Sequence, residues 1–336
     1  MRLSESLRKG IMKSKVGGII NKFKIKGGRR DTLFFEELLA RYILECEKQG
    51  FADETRKMGH DWMFLVTKTF SSKAIKKMPP VFILNSIMKN VWHNLGLMDD
   101  FHVEKNGDIL RISTKNEGIT RYMGENNLMM GLHAGNVEAF FQSSVHLLKM
   151  KQNRNECEYV FRLHGKPIYI EGRSKELYDK INEIKPIKGY TLKDVLKEKI
   201  FTLKGNRIYY RGKSMSPVEN TLFHLIGQLN ILPEKMEEIS YDFFKEIIKP
   251  EVSKEEKLSL LKTLFQVMGW GLIRILLKKK GVIVVQIKNP PCGLLLKDNW
   301  DYLIRTFLGY MWLIDKELKI SDIKTTASSI SVKYSH

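Results

Sequence analysis

The stretch "VMGWGLIRILLKKKGVIVVQIKNPP", residues 267–291, decides how this chain is read. It leaves a helix at a glycine, runs through two strands rich in β-branched residues folded about a basic turn, and stops at Pro290-Pro291. Sliding the chain against itself by 173 positions lays this stretch on an earlier one. Leu95-Gly96 then falls on Met268-Gly269, Lys115-Asn116 on Lys288-Asn289, and Asn126 on Asn299. The preceding helix follows, with Ile87, Met88, Val91 and Trp92 on Leu260, Leu261, Leu264 and Phe265. One inserted residue aligns Gly135 with Gly309, and a shift of 181 lays "GHDWM" (59–63) on "SYDFF" (240–244). The matches keep their order along roughly 130 residues, as two copies of one unit would.

Each copy reads as α+β, helices beside an antiparallel sheet, and the two copies are expected to pair as an intramolecular pseudo-dimer. In the first, "TLFFEELLARYILECEKQG" and "DETRKMGHDWMFLVTKTF" read as helices separated at Gly50. Pro79-Pro80 starts a third helix, ending at Gly96. "FHVEKNGDILRIST" is a hairpin in which Asn106-Gly107 supplies the positive φ angles of a tight turn. A helix from about Asn127 to Lys149 and the strands "CEYVFRL" and "KPIYIEG" follow. In the second copy, Ser253-x-x-Glu256 is a capping box that opens its helix where Pro79-Pro80 opens the first. The predicted divisions are an arm at 1–30, domains at 31–170 and 201–336, and a charged connector at 171–200.

Charge sets the class of partner. The 336 residues carry a net charge of +19, and residues 1–30 hold ten Lys or Arg against one acid, Glu5. In residues 3–23, apolar residues recur at three- and four-residue steps between lysines, with a break at Gly17-Gly18. That pattern suits either a helix lying on an anionic membrane or a first helix docked on the fold with its lysines in water. Arg8, Lys9, Lys13, Lys15, Lys22, Lys24, Lys26, Arg29 and Arg30 are the expected contacts to an anionic membrane surface or to nucleic acid. No apolar run reaches the length of a membrane span, and the three cysteines, Cys46, Cys157 and Cys292, are too far apart for a paired framework or a short metal motif. A cytoplasmic protein with no metal and no cofactor is the expectation.

The order of helix, "LG" or "GWG", hairpin ending in "KN", loop and long glycine-bearing helix ("LMMGLHAGNVEAFF"; "YLIRTFLGYMWLI") resembles the 4-vinyl reductase-like domain. That domain shares a superfamily with the small subunits of the TRAPP tethering complex and with haem nitric-oxide-binding domains. The resemblance covers roughly 20–170 and 200–336, and rests on scaffold residues. It implies α+β units that bind small hydrophobic molecules, regulate, or assemble partners at membranes. The cysteine-containing metal site of some members does not carry over, since only Cys157 stands near that region and "ASSISVKYSH" has no cysteine. The haem signature is missing as well.

Within "LMMGLHAGNVEAFF", Gly131, Ala134 and Gly135 make one helix surface small, for packing on the sheet or for close approach of a ligand. Met129, His133, Gly135 and Phe141 are the candidate ligand-binding residues, with helix core as the plain alternative. Ser259 and Lys262 match a Ser-x-x-Lys spacing by chance, and no carboxylate pair, triad or cofactor fingerprint stands out. The first functional reading is a membrane-peripheral, non-catalytic scaffold that binds a small hydrophobic ligand or protein partner, as a pseudo-dimer that could associate further. The alternative is a nucleic-acid-associated transcriptional regulator with a ligand-sensing domain. A reductase ranks last.

Overall fold

A computed structural model describes residues 12–15, 18–21, 29–70, 78–166, 190–278, 281–291, 299–326 and 328–336. The chain begins with strands β1 (Met12–Lys15), β2 (Gly18–Asn21) and β3 (Arg29–Phe35), followed by helices α1 (Glu36–Lys48) and α2 (Ala52–Phe70). A helical run then joins α3 (Pro80–Phe82) to α4 (Lys89–Asn94) through a π segment, Ile83–Met88. Next come β4 (Asp100–Asn106), β5 (Ile109–Lys115), α5 (Thr120–Met123), α6 (Asn127–Phe141), β6 (Ser144–Gln152) and β7 (Glu156–His164). After α7 (Leu192–Lys197) lie β8 (Thr202–Lys204), β9 (Arg207–Tyr210) and β10 (Lys213–Glu219). The remainder is α8 (Asn220–Leu229), α9 (Lys235–Ile247), α10 (Lys254–Val267), β11 (Leu272–Leu277), β12 (Ile283–Lys288), α11 (Asp301–Met311), β13 (Lys319–Thr325) and β14 (Ser329–Ser335). The mixture of helices and antiparallel sheets is the expected α+β class.

Two compact units emerge. The first takes its described residues from Phe35–Glu176 and Leu203–Ser216, the second from Lys9–Phe34, Leu177–Thr202 and Pro217–His336. The units therefore depart from the divisions at 31–170 and 201–336: residues 31–34 belong with the second and 203–216 with the first. Each unit holds a four-stranded antiparallel sheet, ordered β4-β5-β7-β6 in the first and β11-β12-β14-β13 in the second. In both, a helix stands between the second and third strands of the sequence. The second unit also contains the antiparallel set β1-β2-β3, and the first the hairpin β9-β10.

Several local expectations shift. The basic segment expected as a helix contains β1 and β2, paired from Lys15↔Gly18 to Met12↔Asn21. β-branched Ile19 and Ile20 suit a pleated strand better than a helix. Thr32–Phe35 is strand, every residue buried, and the helix begins only at Glu36-Glu37, whose charges favour the positive end of the helix dipole. The first hairpin's two-residue loop is Gly107-Asp108, one position later than expected, since Asn106 pairs with Ile109. Gly107 alone supplies the positive φ, +59°. α6 ends at Phe141, because Gln142 takes the left-handed conformation (φ 51°), and the expected last turns are instead β6. The predicted strand "KPIYIEG" (166–172) lies outside the described residues except for its first position.

The small surface of α6 meets a helix and not the sheet. A methyl group at Gly131 would lie 2.0 Å from the Arg56 carbonyl oxygen, one at Gly135 2.1 Å from that of His60, and one at Gly59 1.9 Å from that of Leu128. Glycine is thus the residue that lets the backbones of α2 and α6 touch. The second unit does the same with Gly309 on α11, where a methyl would lie 2.2 Å from the Glu237 carbonyl oxygen of α9.

The glycine and asparagine aligned by the sequence share their backbone state. Gly96 and Gly269 have φ of +71° and +88°, and Asn116 and Asn289 have φ of 48° and 52°. These turns leave carbonyls pointing inward, and a guanidinium bridges them in each unit. Arg30 donates to the carbonyls of Gly269 (2.9 Å), Asn289 (2.9 Å) and Pro290 (3.0 Å). Arg207 donates to those of Gly96 (3.2 Å) and Asn116 (3.4 Å), where Arg121 donates as well, at 3.1 and 2.7 Å. Arg30 was expected at an anionic surface; it is 1% exposed and committed to backbone oxygens, which corrects that assignment. The other basic residues of the arm have side chains outside the description.

Around Arg30 the second unit builds an aromatic core. Phe34 packs on Phe223 at 4.6 Å and Trp270 at 5.7 Å between ring centres, and Trp270 Nε1 donates to the Leu33 carbonyl at 3.0 Å. Replacing Arg30 by Lys keeps the charge but removes the fork that serves three carbonyls, each costing about 1–3 kcal/mol if left without a donor. Arg30→Lys is expected to lower the urea midpoint of the second unit's unfolding, and an unchanged midpoint refutes the bridging role.

Candidate functional site

The chain offers two polar features, a buried carboxylate in the first unit and a cationic sheet face in the second. The carboxylate is Glu117, 1% exposed, in the loop after β5. Left-handed Asn116 and Gly118 (φ +28°) turn it inward. Its Oε1 accepts from Thr114 Oγ1 (3.0 Å) and His133 Nε2 (2.6 Å); its Oε2 accepts from Thr120 Oγ1 (2.9 Å) and Tyr159 Oη (2.6 Å). Four donors saturate it. Burial pushes the Glu117 carboxyl up, but the His133 charge and these hydrogen bonds outweigh burial and hold it below the usual carboxylate range. Burial, joined by the Glu117 charge, drives the Tyr159 hydroxyl well above its usual range, so it stays a donor.

His133, read from sequence as a candidate ligand contact, is thus brought to Glu117 and enclosed by rings: Tyr159 at 4.6 Å, Trp92 at 5.9 Å and Phe101 at 6.0 Å. Met129 is 3% exposed in the same helix, Gly135 lies against the His60 carbonyl, and Phe141 is half-buried at the helix end. The four face different neighbours. Glu117 itself was missed by sequence reading, although "KNEGIT" places an acid beside a glycine after a strand, where a turn can aim it inward. The arrangement ties the loop, α6 and β7 together as a buried ion pair whose carboxylate is saturated, while His133 Nδ1 is buried with no hydrogen-bond partner among the described residues. The nearby Cys157 thiol is pushed up to about 12 by burial and by Glu117, and the Cys46 thiol to about 12 by burial, so neither is a thiolate nucleophile at neutral pH. Among the described residues, no group of three His, Cys, Asp or Glu is placed to hold a metal ion.

A second charge pair, its imidazole half-buried, binds α2 to α6. His60 meets Glu138 through Nε2 (3.0 Å) and Asp61 through Nδ1 (3.1 Å), and Glu138 accepts from the Val145 amide at 3.0 Å. Burial lowers the imidazole's affinity for a proton, but the Asp61 and Glu138 contacts outweigh it and raise its pKa to about 9.

The open site is on the second unit's sheet. Lys278, Val282, Val284, Asp322, Lys324, Ser331 and Lys333 line a groove of about 570 Å³. Strand register puts them on one face: Val284 opposes Lys333, Lys333 opposes Asp322, and Ser331 opposes Lys324. The same parity adds exposed Arg274, Lys288 and Lys319. Among the described residues, this face carries six cations and one acid, Asp322, which lies 3.6 Å from Lys324. The corresponding face of the first unit's sheet is balanced. There, Arg111, Lys115, Lys149, Lys151 and Arg162 meet Asp100, Glu104, Glu156 and Glu158, with Lys149–Glu158 at 3.1 Å, Arg111–Glu158 at 3.5 Å and Lys115–Glu156 at 3.7 Å. Sequence reading located the excess charge in the arm and missed this face. Its signal was present in the alternation of "SVKYSH", where lysine falls between apolar residues that point inward.

Comparison with known proteins finds no family model, curated protein or solved structure that matches the chain.

Two measurements check the Glu117 and His60 pairs. Glu117→Gln removes one charge of a buried pair and is expected to destabilise the protein by about 3 kcal/mol in urea. Because its folded pKa lies below the model-peptide value of 4.5, Glu117 contributes stability above that pH that is lost as pH falls through the folded value; acid unfolding of Glu117→Gln should therefore be flatter. For His60 the sign reverses. Its folded pKa of about 9 exceeds 6.5, so its contribution is full below pH 6.5 and disappears as pH rises through 9. Denaturation of His60→Gln across that interval should lack this decline; an identical decline in both proteins assigns it elsewhere.

Proposed function

We propose that this chain is a non-catalytic binding protein built from two tandem copies of one α+β domain, of the 4-vinyl reductase-like kind, arranged as a pseudo-dimer. Its second copy engages an anionic partner through the cationic sheet face. The common strand order, the matched left-handed Gly and Asn positions, and the interhelical glycines support the duplication. One observation carries the binding role: among the described residues of two sheets with the same strand order, one neutralises its outer face with four acids and the other leaves six cations facing a single acid. Lysines clustered without acids raise the local potential and repel one another, a cost that an anionic partner relieves. The division of labour is consistent with one copy kept as scaffold and the other used for contact.

The Glu117 pair is scaffold, because every oxygen of the carboxylate is occupied by a protein donor. The basic arm is a second contact in the same chain. A sulfated-polysaccharide resin tests the sheet-face contact on the full-length protein. The triple variant Lys278→Gln, Lys324→Gln, Lys333→Gln should elute at lower salt than a charge-matched control, Arg111→Gln, Lys115→Gln, Lys149→Gln, on the first unit's sheet. Equal elution of the two variants would remove the second sheet face from the reading.

A further inference from the structure

Resting on that reading, we infer that the anionic partner is the sugar-phosphate backbone of a double-stranded nucleic acid, bound without regard to base sequence. The arrangement of the cations decides among polyanions. Register places Arg274, Gln286, Ser331 and Lys324 in one row across the sheet. Three interstrand steps put the two ends of that row about 14 Å apart. Arg274 and Lys278 therefore form one rim, Lys319 and Lys324 the other, and Lys333 stands between them. The floor is small and neutral: Val282, Val284, Gln286, Ser329 and Ser331. A trough with cationic rims accepts a ridge of phosphates, while Gln286 and the serines can hydrogen-bond phosphate and sugar oxygens.

A lipid surface asks for the opposite shape. Peripheral membrane contacts place cations around apolar side chains that enter the acyl boundary. The exposed apolar residues of this sheet, Leu277 and Ile323, pair with Ile283 and Val332 and so belong by register to the opposite face. On the trough's own face, Leu272 and Leu276 oppose Lys288 and Val284 but are half-buried, and among the described residues no exposed large apolar side chain stands there to insert. The trough also carries no aromatic side chain among its described residues, which removes the stacking platform that single strands use. What remains is phosphate contact with a duplex, whose bases are already stacked on one another.

The test uses the full-length protein, a short labelled duplex in two unrelated sequences, the corresponding single strand, and vesicles of phosphatidylserine and phosphatidylcholine. Anisotropy should show equal affinity for the two duplexes and weaker binding of the single strand. The Lys278→Gln, Lys324→Gln, Lys333→Gln variant should lose roughly tenfold or more in duplex affinity, and its slope of log affinity against log salt should shrink by about 3. The charge-matched control on the first sheet should keep both quantities, with circular dichroism confirming that each variant is folded. Preference for the single strand, or loss of vesicle sedimentation with duplex binding intact, overturns the duplex assignment while leaving the anionic-partner reading in place. Resin elution that also fails to separate the two triple variants removes both.

Discussion

Everything else in this structure leans on guanidinium groups that bridge inward-facing carbonyls. In each unit, a left-handed glycine before the first hairpin strand and a left-handed asparagine after the second free two backbone oxygens. Buried carbonyls without donors are costly, and arginine is the side chain whose planar fork reaches two or three at once. Arg30 serves the pair in the second unit, and Arg207 with Arg121 the pair in the first. Both Arg30 and Arg207 come from short β segments that belong to the opposite half of the sequence. The bridging therefore makes each unit dependent on a piece of chain that sequence order assigns elsewhere.

That dependence explains why buried polarity is concentrated where it is. Glu36, at the start of α1, accepts from Arg121 at 3.0 Å through Nε and also from the hydroxyls of Ser214 and Ser216, so β10 is held to the first unit by a charged network. Phe34 and the Leu33 carbonyl bind β3 to the aromatic core around Trp270. Apolar packing gives each attachment its strength, and the polar contacts fix its register, since a one-residue slip would turn Arg30 or Glu36 away from its partners. The interior is thus committed to holding the units together internally. Contact with other molecules falls to the surfaces, where the two sheets differ in charge far more than in topology.

Much of the architecture was legible because it is written in local signals. The capping box at Ser253 and Glu256 forms as read, the two hairpins occur, and the helix break at Gly50 has a φ of +93°. Errors arose where a local pattern had two solutions. Residues 12–21 have spacing that fits a helix and β-branched residues that fit strands, and pairing with β3 selects strands. Gln142 ends α6 through a left-handed turn that glutamine does not announce.

The sequence by itself determined the α+β class, the excess of positive charge and the repeat of Gly, Asn and helix glycine, because these depend on composition and short-range spacing. Only the tertiary structure decided which segment completes which unit, that Arg30 is buried, that His133 meets Glu117, and that six cations share one sheet face. The physical reason is that burial and charge pairing join residues as far apart as Arg30 and Asn289, and no local pattern records which distant carbonyl a guanidinium will serve.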